Sequence, residues 1–207
     1  MNKHTLTRAG ASALCIGLAA IANTALSARA QDFSRAGSLE IFTSMEYSKG
    51  DTTGILNKTA NIDFQDFIGG GIGIGYNLTD HLNVNLDWNL GGVNTKVDLA
   101  GARAKSDAFG MAMDVNLDCY ILKSRFTPML TGGMGYFYAS DDVNVPGAFL
   151  NYSQGTFTMG GGGGIRWDID DHLFLKAYYR ANWQLPLDAF DNDMLFHSFI
   201  VMLGYRF

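Results

Sequence analysis

The sequence predicts an all-β fold: an eight-stranded antiparallel up-and-down β-barrel that crosses a membrane. Three observations carry that prediction. Period-two alternation recurs eight times, connections between the runs alternate short and long, and glycines gather on the polar side of the alternation. Composition agrees: 25 glycines, only 3 prolines and 13% aromatics favour strands and tight turns over helices.

A strand turns successive side chains to opposite faces, so each run separates into two sets. In residues 39–47, Leu39, Ile41, Met45 and Tyr47 oppose Glu40, Ser44 and Glu46, with Phe42 breaking the rule on the polar side. Residues 67–78 set Ile68, Ile72, Ile74, Tyr76 and Leu78 against four glycines and Asn77. The clearest run is LNVNLDWNL, residues 82–90, where Trp88 shares the apolar face with leucines and valine, and Asp87 shares the other with asparagines. Residues 108–120 oppose Phe109, Met111, Met113, Val115, Leu117 and Cys119 to Asp114, Asn116 and Asp118. Residues 127–139 carry Leu130, Met134, Tyr136 and Tyr138 against Thr131, Gly133 and Gly135. Residues 156–168 carry Phe157, Met159, Ile165 and Trp167 against three glycines and Arg166. Residues 172–183 carry Leu173, Leu175, Tyr179 and Trp183 against Lys176, Tyr178, Arg180 and Asn182, with Phe174 a second exception. The eighth run, LFHSFIVMLGYRF, alternates Phe199, Val201, Leu203, Tyr205 and Phe207 with Ile200, Met202, Gly204 and Arg206.

Short connections are expected at residues 79–80, 121–126 and 169–171, and long polar loops at 49–66, 91–107, 140–155 and 184–194. Even strand number with short turns at one end and long loops at the other is the outer-membrane pattern. A soluble ligand-binding barrel also alternates, but with its apolar face inward. An eight-stranded barrel is just wide enough inside for side chains, so glycines on three strands leave room for Arg, Lys and Glu from the others. Aromatics Tyr47, Tyr76, Trp88, Tyr136, Tyr138, Trp167, Trp183 and Tyr205 fall towards strand ends on the apolar face, as membrane-interface girdles do. Lipid also demands closure, since an open edge would strand backbone groups without water; the first and last strands must pair.

Residues 1–30 read as a cleaved signal peptide, with Lys3 and Arg8 ahead of an apolar stretch and Ala28-Arg29-Ala30 as the cleavage motif. Residues 31–37 are then a short periplasmic segment and 38–207 the barrel. Without Lys3, Arg8 and Arg29, 12 basic residues face 20 acidic, a net charge of −8 that does not suit a nucleic-acid surface. Cys15 leaves with the signal, so Cys119 is expected as a lone small hydrophobe.

With TPMLTGGMGYFY at 127–138, GGGGIRWDIDDHLFLKAYYR at 161–180 and the terminal aromatic, residues 38–207 resemble the small outer-membrane barrels of the OmpA, OmpX and OmpW type. The resemblance implies a monomer with periplasmic termini in the bacterial outer membrane. It implies lipid and lipopolysaccharide as surroundings and periplasmic chaperones as earlier partners. It also makes Leu203, Tyr205 and Phe207 the signal read by the barrel-assembly machinery. Family members are anchors, adhesins, small-solute pores and sometimes lipid-modifying enzymes. A wall-anchoring role is incomplete here, because no peptidoglycan-binding domain is expected after Phe207.

The predicted lumen carries the acids Glu40, Glu46, Asp87, Asp114 and Asp118 and the bases Arg166, Lys176, Arg180 and Arg206. Near balance in a narrow space favours a plug of ion pairs, because charges out of water must pair. Glu40 and Arg206 are expected within reach of each other, directly or through a shared partner. The function expected is structural or surface-interacting and non-enzymatic. A narrow channel or carrier for small or apolar solutes is the alternative, and a lipid-modifying enzyme a third reading. His197 and Ser198, being consecutive in a strand, point to opposite faces and cannot form a relay. His81 and His172 sit beside short turns. Asp168, Asp170, Asp171 and His172 lack the glycine and terminal glutamate of a calcium loop and read as a polar turn. The glycine run at 161–164 lacks the residues of a phosphate loop. No metal or cofactor is expected.

Overall fold

Alternation with β-branched and aromatic residues on one face builds a continuous antiparallel sheet in which the first and last strands pair. The structure, a computed structural model, describes residues 33–50, 53–57, 60–99, 102–145, 148–184 and 194–207. Side chains are described over 33–50, 66–94, 107–140, 153, 155–184 and 195–207. The expected signal peptide lies outside them.

The strands are β1 (Leu39–Gly50), β2 (Thr53–Asn57), β3 (Ala60–Asn77), β4 (Leu82–Leu99), β5 (Ala102–Tyr120), β6 (Phe126–Val145), β7 (Ala148–Asp168), β8 (Leu173–Gln184) and β9 (Met194–Arg206). Neighbours in sequence pair antiparallel, and β1 closes the ring by pairing with both β3 and β9. The short β2 pairs with the far half of β3, continuing the edge that β1 occupies, so the barrel has eight staves. Among the described residues there is no helix.

Register fixes the geometry. Stepping between partners from Leu39 through Tyr76, Val84, Leu117, Gly132, Gly161, Ala181 and His197 returns to Lys49, ten residues along β1. A shear of ten over eight staves tilts the strands by roughly 40° and leaves an interior only one or two side chains across.

The wall is apolar outside and polar inside. Ile72, Met134, Phe199 and Phe207 are each more than half exposed, whereas Glu40, Arg166 and Lys176 are wholly buried. Water outside would penalise that inversion; hydrocarbon outside requires it. Trp167, Tyr205 and Tyr76 lie near the end that carries the chain terminus. Tyr47, Tyr136, Tyr138 and Trp183 lie towards the other, roughly 20 Å away at 3.3 Å per residue along tilted strands. Trp88 sits deeper in the band, opposite Ile72 and Met113.

The long loops need correction. Pairing continues through the described parts of residues 91–107 and 140–155 to Leu99↔Ala102 and Val145↔Ala148, so these are paired strand rather than loop. Residues 53–57 and 60–66 are likewise paired strand. The sequence still alternates through VNTKVDL at 93–99, but Val93, Val97 and Leu99 take the parity that Asp87 and Asn89 hold in the preceding run, so the phase reverses while backbone pairing persists. Most of the expected loop at 184–194 lies outside the described residues.

Candidate functional site

The interior divides along the barrel axis. At the terminal end, β1, β5, β7, β8 and β9 converge on a dense charged and aromatic layer. Arg166 is its centre: Nη2 donates to Glu40 Oε1 at 2.6 Å and to Asp168 Oδ1 at 2.8 Å, and Nη1 donates to the Tyr120 hydroxyl at 2.7 Å. Lys176 Nζ donates to Asp118 Oδ2 at 2.9 Å and lies 3.9 Å from Glu40 Oε2. Asn77 and Asn83 supply the remaining donors to Glu40, at 2.7 and 3.2 Å. The Arg166 guanidinium also lies 4.3 Å from the Phe174 ring centre and 4.9 Å from that of Tyr120. Cations over aromatic faces, out of water, gain about 2 kcal/mol beyond their hydrogen bonds.

Glu40 and Arg206 are register partners across the closing seam. Arg206 Nη1 reaches Asp168 at 3.3 Å, so the two are linked through Arg166 and Asp168. Asp168 corrects the reading of a polar turn. It is the last residue of β7, 1% exposed, and carries Arg35, Arg166 and Arg206 at once. One-residue continuation of the alternation past Arg166 would have flagged it, since residues two apart share a face.

Arg35 is the member that sequence reasoning missed. Its segment tucks under the barrel mouth, and the wholly buried guanidinium forks onto Asp168 Oδ2 at 2.9 and 2.8 Å. It also reaches the carbonyls of Asp80, at 3.3 Å, and Ser124. Asp80 fastens the same segment by accepting from the Ser34 hydroxyl at 2.8 Å and the N–H groups of Arg35 and Ala36 at 2.7 and 3.2 Å. Partial burial pushes the Asp80 carboxyl up. Lys123 at 2.8 Å, Ser34 and the two N–H donors outweigh that and hold it well below the usual carboxylate range. The three turns at this end are also tied together, with Arg125 on Asp171 at 2.7 Å matching Lys123 on Asp80. His81 and His172 each place Nδ1 on the last carbonyls of a neighbouring strand, those of Tyr120 at 2.7 Å and Arg206 at 3.0 Å.

Above this layer Phe42, Met129, Phe174, Tyr178, Ile200 and Met202 pack together in the lumen. Phe42 and Phe174, the two breaks in alternation, belong here. Each is accommodated by a glycine: Gly73 beside Phe42 and Gly204 beside Phe174, where a Cβ would overlap the ring.

The half towards the long hairpins differs. Arg180 gives Nη2 to Asp114 at 3.1 Å and Nη1 to Asn116 at 2.6 Å. Glu46 accepts from the Ser48 hydroxyl at 2.7 Å, and Asp87 sits opposite Asp114 in register. Among the described residues, no lysine or arginine comes within salt-bridge distance of Glu46 or Asp87. The buried Asp87 Oδ1 has no hydrogen-bond partner, nor do Arg180 Nε and Thr131 Oγ1. A cavity with about 40 Å³ open to the centre of a water-sized molecule lies over Glu46, Asp114 and Arg180, walled by Phe67, Phe137 and Phe196. His197 faces outward, its Nδ1 hydrogen-bonded to the Tyr179 hydroxyl, while Ser198 faces inward on Ser48 and Asn182.

An inverted, closed, eight-stave barrel with a packed polar interior defines an integral outer-membrane β-barrel. The chain belongs to the outer membrane protein beta-barrel domain family, whose model matches residues 11–207. Its place is therefore the bacterial outer membrane. Among solved structures it is similar in fold to the outer membrane protein OprG from Pseudomonas aeruginosa (16% identity, 84% of this chain and 97% of that one, TM-score 0.55). It is likewise similar to Neisserial surface protein A (16% identity, 82% and 97%, TM-score 0.56). No curated protein matches by sequence.

Proposed function

We propose that this protein is a non-enzymatic structural and surface-interacting barrel whose lumen is shut at the periplasmic end. One observation carries the reading: Arg35, Arg166, Lys176 and Glu40 are all 0% exposed across the terminal mouth. Buried charges with every partner supplied have no room for a hydrated solute. In this reading residues 1–30 are removed on secretion, both termini lie in the periplasm, and the long hairpins meet the exterior. Leu203, Tyr205 and Phe207 serve the assembly machinery, and the two aromatic levels sit at the lipid headgroups. Purified barrel in planar bilayers should show no steady ohmic conductance. A stable open channel at neutral pH would replace this reading with that of a pore.

A further inference from the structure

The interior charges are segregated in a way the plug does not require. The terminal half holds Glu40, Asp118 and Asp168 against Arg35, Arg166, Lys176 and Arg206. Among the described residues the other half holds Glu46, Asp87 and Asp114 against Arg180, and Asp66 also lines its cavity. Asp114 is paired; among the described residues no cation comes within salt-bridge distance of Glu46 or Asp87, and Asp87 keeps a buried oxygen without a partner. Directly over Glu46 and Asp114 is the cavity, walled by Phe67, Phe137 and Phe196 together with Asp66 and with Arg180, whose guanidinium is engaged by Asp114 and Asn116. Phe67 and Phe137 meet edge to face with ring centres 6.0 Å apart, and Phe137 and Phe196 lie 6.4 Å apart. Aromatic rings beside carboxylates that outnumber the one described cation attract a cation that also has an apolar surface. A metal ion would instead need converging ligands, and among the described residues no three His, Cys, Asp or Glu side chains gather in that way.

We infer that the upper lumen is a binding site for a small organic cation, an alkylammonium with its charge over Glu46 and Asp87 and its carbons against Phe67, Phe137 and Phe196. This rests on the reading of a barrel closed at its other end, because only a blind pocket would retain such a ligand. Glu46 lines the cavity and Asp87 lies one layer beneath it, so the first would touch the ligand and the second would act through the field.

Tetramethylammonium is the probe, with tert-butanol as a neutral control of similar size. Binding to the folded full barrel in detergent micelles is followed by calorimetry and by ring-proton shifts. Tetramethylammonium should bind, and tert-butanol should bind at least tenfold more weakly. Glu46→Gln should weaken the cation at least tenfold, and Phe137→Leu about three- to tenfold. Folding of each variant is read from its heat-dependent gel mobility, and Asp87→Asn provides a second loss of charge should Glu46→Gln not fold. Absence of tetramethylammonium binding overturns the inference, as does equal binding of the neutral control or an unchanged affinity in both charge variants. Bilayer conductance on the same preparation separates the two claims. A non-conducting barrel that binds no cation refutes the site alone, whereas a conducting one refutes the closed barrel.

Discussion

The two halves of the lumen are made by the same staves and the same alternation, yet they solve opposite problems. In the terminal half every carboxylate meets a guanidinium or ammonium, and rings fill what remains. In the other half, among the described residues, acids outnumber bases, Arg180 pairs with Asp114 while Glu46 has a hydroxyl for its partner, and a cavity persists. The comparison teaches that near-neutrality of a barrel interior as a whole says little about any one layer of it. Coulomb interactions fall with distance, so Lys176 cannot neutralise Glu46 from a layer away as it neutralises Asp118 in contact.

The sharpest way to break the contrast is at its densest point. Arg166→Ala should leave Glu40 and Asp168 short of their shared partner and cost about 3–5 kcal/mol. That is read as a markedly lower temperature for the folded-to-unfolded gel shift. Adding Glu40→Ala should recover part of the loss, because the two side chains are coupled. A parent-like Arg166→Ala would mean that water already reaches the plug.

Next in size is the packing of the rings. Gly204→Ala should cost about 1–3 kcal/mol by driving a methyl into the Phe174 ring and against the Ile41 carbonyl, and Phe174→Leu in the same chain should relieve the first part of it. The reverse sign is expected in the other half. Glu46→Gln removes a buried charge that no described cation meets, and should leave thermal stability unchanged or raise it by up to about 1 kcal/mol. A loss comparable to that of Arg166→Ala would erase the distinction between halves.

The smallest effect concerns the arm under the mouth. Asp80 is held below its ordinary range, so its contribution is complete above the unfolded value of about 4 and is lost as pH falls through the lowered folded one. Amide protection at Arg35 and Ala36 should hold down to about pH 4 and decline below it. In Asp80→Asn it should already be reduced at pH 7, while protection in β7 stays as in the parent. Equal protection in parent and variant would detach the arm from this carboxylate.

Much of this was legible in the chain, for reasons that also mark the limits. Lipid on one side imposes a strict two-residue rhythm, so runs such as residues 82–90 show both strand and facing directly. The hairpin extensions reverse the phase of that rhythm, as Val93, Val97 and Leu99 do against Leu86, Trp88 and Leu90, so they do not read as continuations of the same strands. Lumen charges could be assigned to a face, but partner choice depends on shear, which no single strand encodes. The sequence therefore leads one to expect Glu40 and Arg206 to meet directly or through one shared partner, whereas two residues, Arg166 and Asp168, link them. Phe42 and Phe174 were noticed as exceptions. Read beside Gly73 and Gly204, those exceptions would have located the apolar layer. Arg35 had no strand pattern to betray it.

The shear of ten has a consequence for how the ring is shut. Because it is even, inward residues meet inward residues around the whole circuit, and the β1–β9 seam can err only in steps of two. Phe42 now faces Gly204 across that seam. A slip of two in one direction would bring it against Met202, and in the other against Arg206, both buried and bulky. The apolar outer face would tolerate either slip, Ile41 meeting Leu203 or Phe207 in place of Tyr205, so it is the inward side chains that set the alignment of the two ends of the chain.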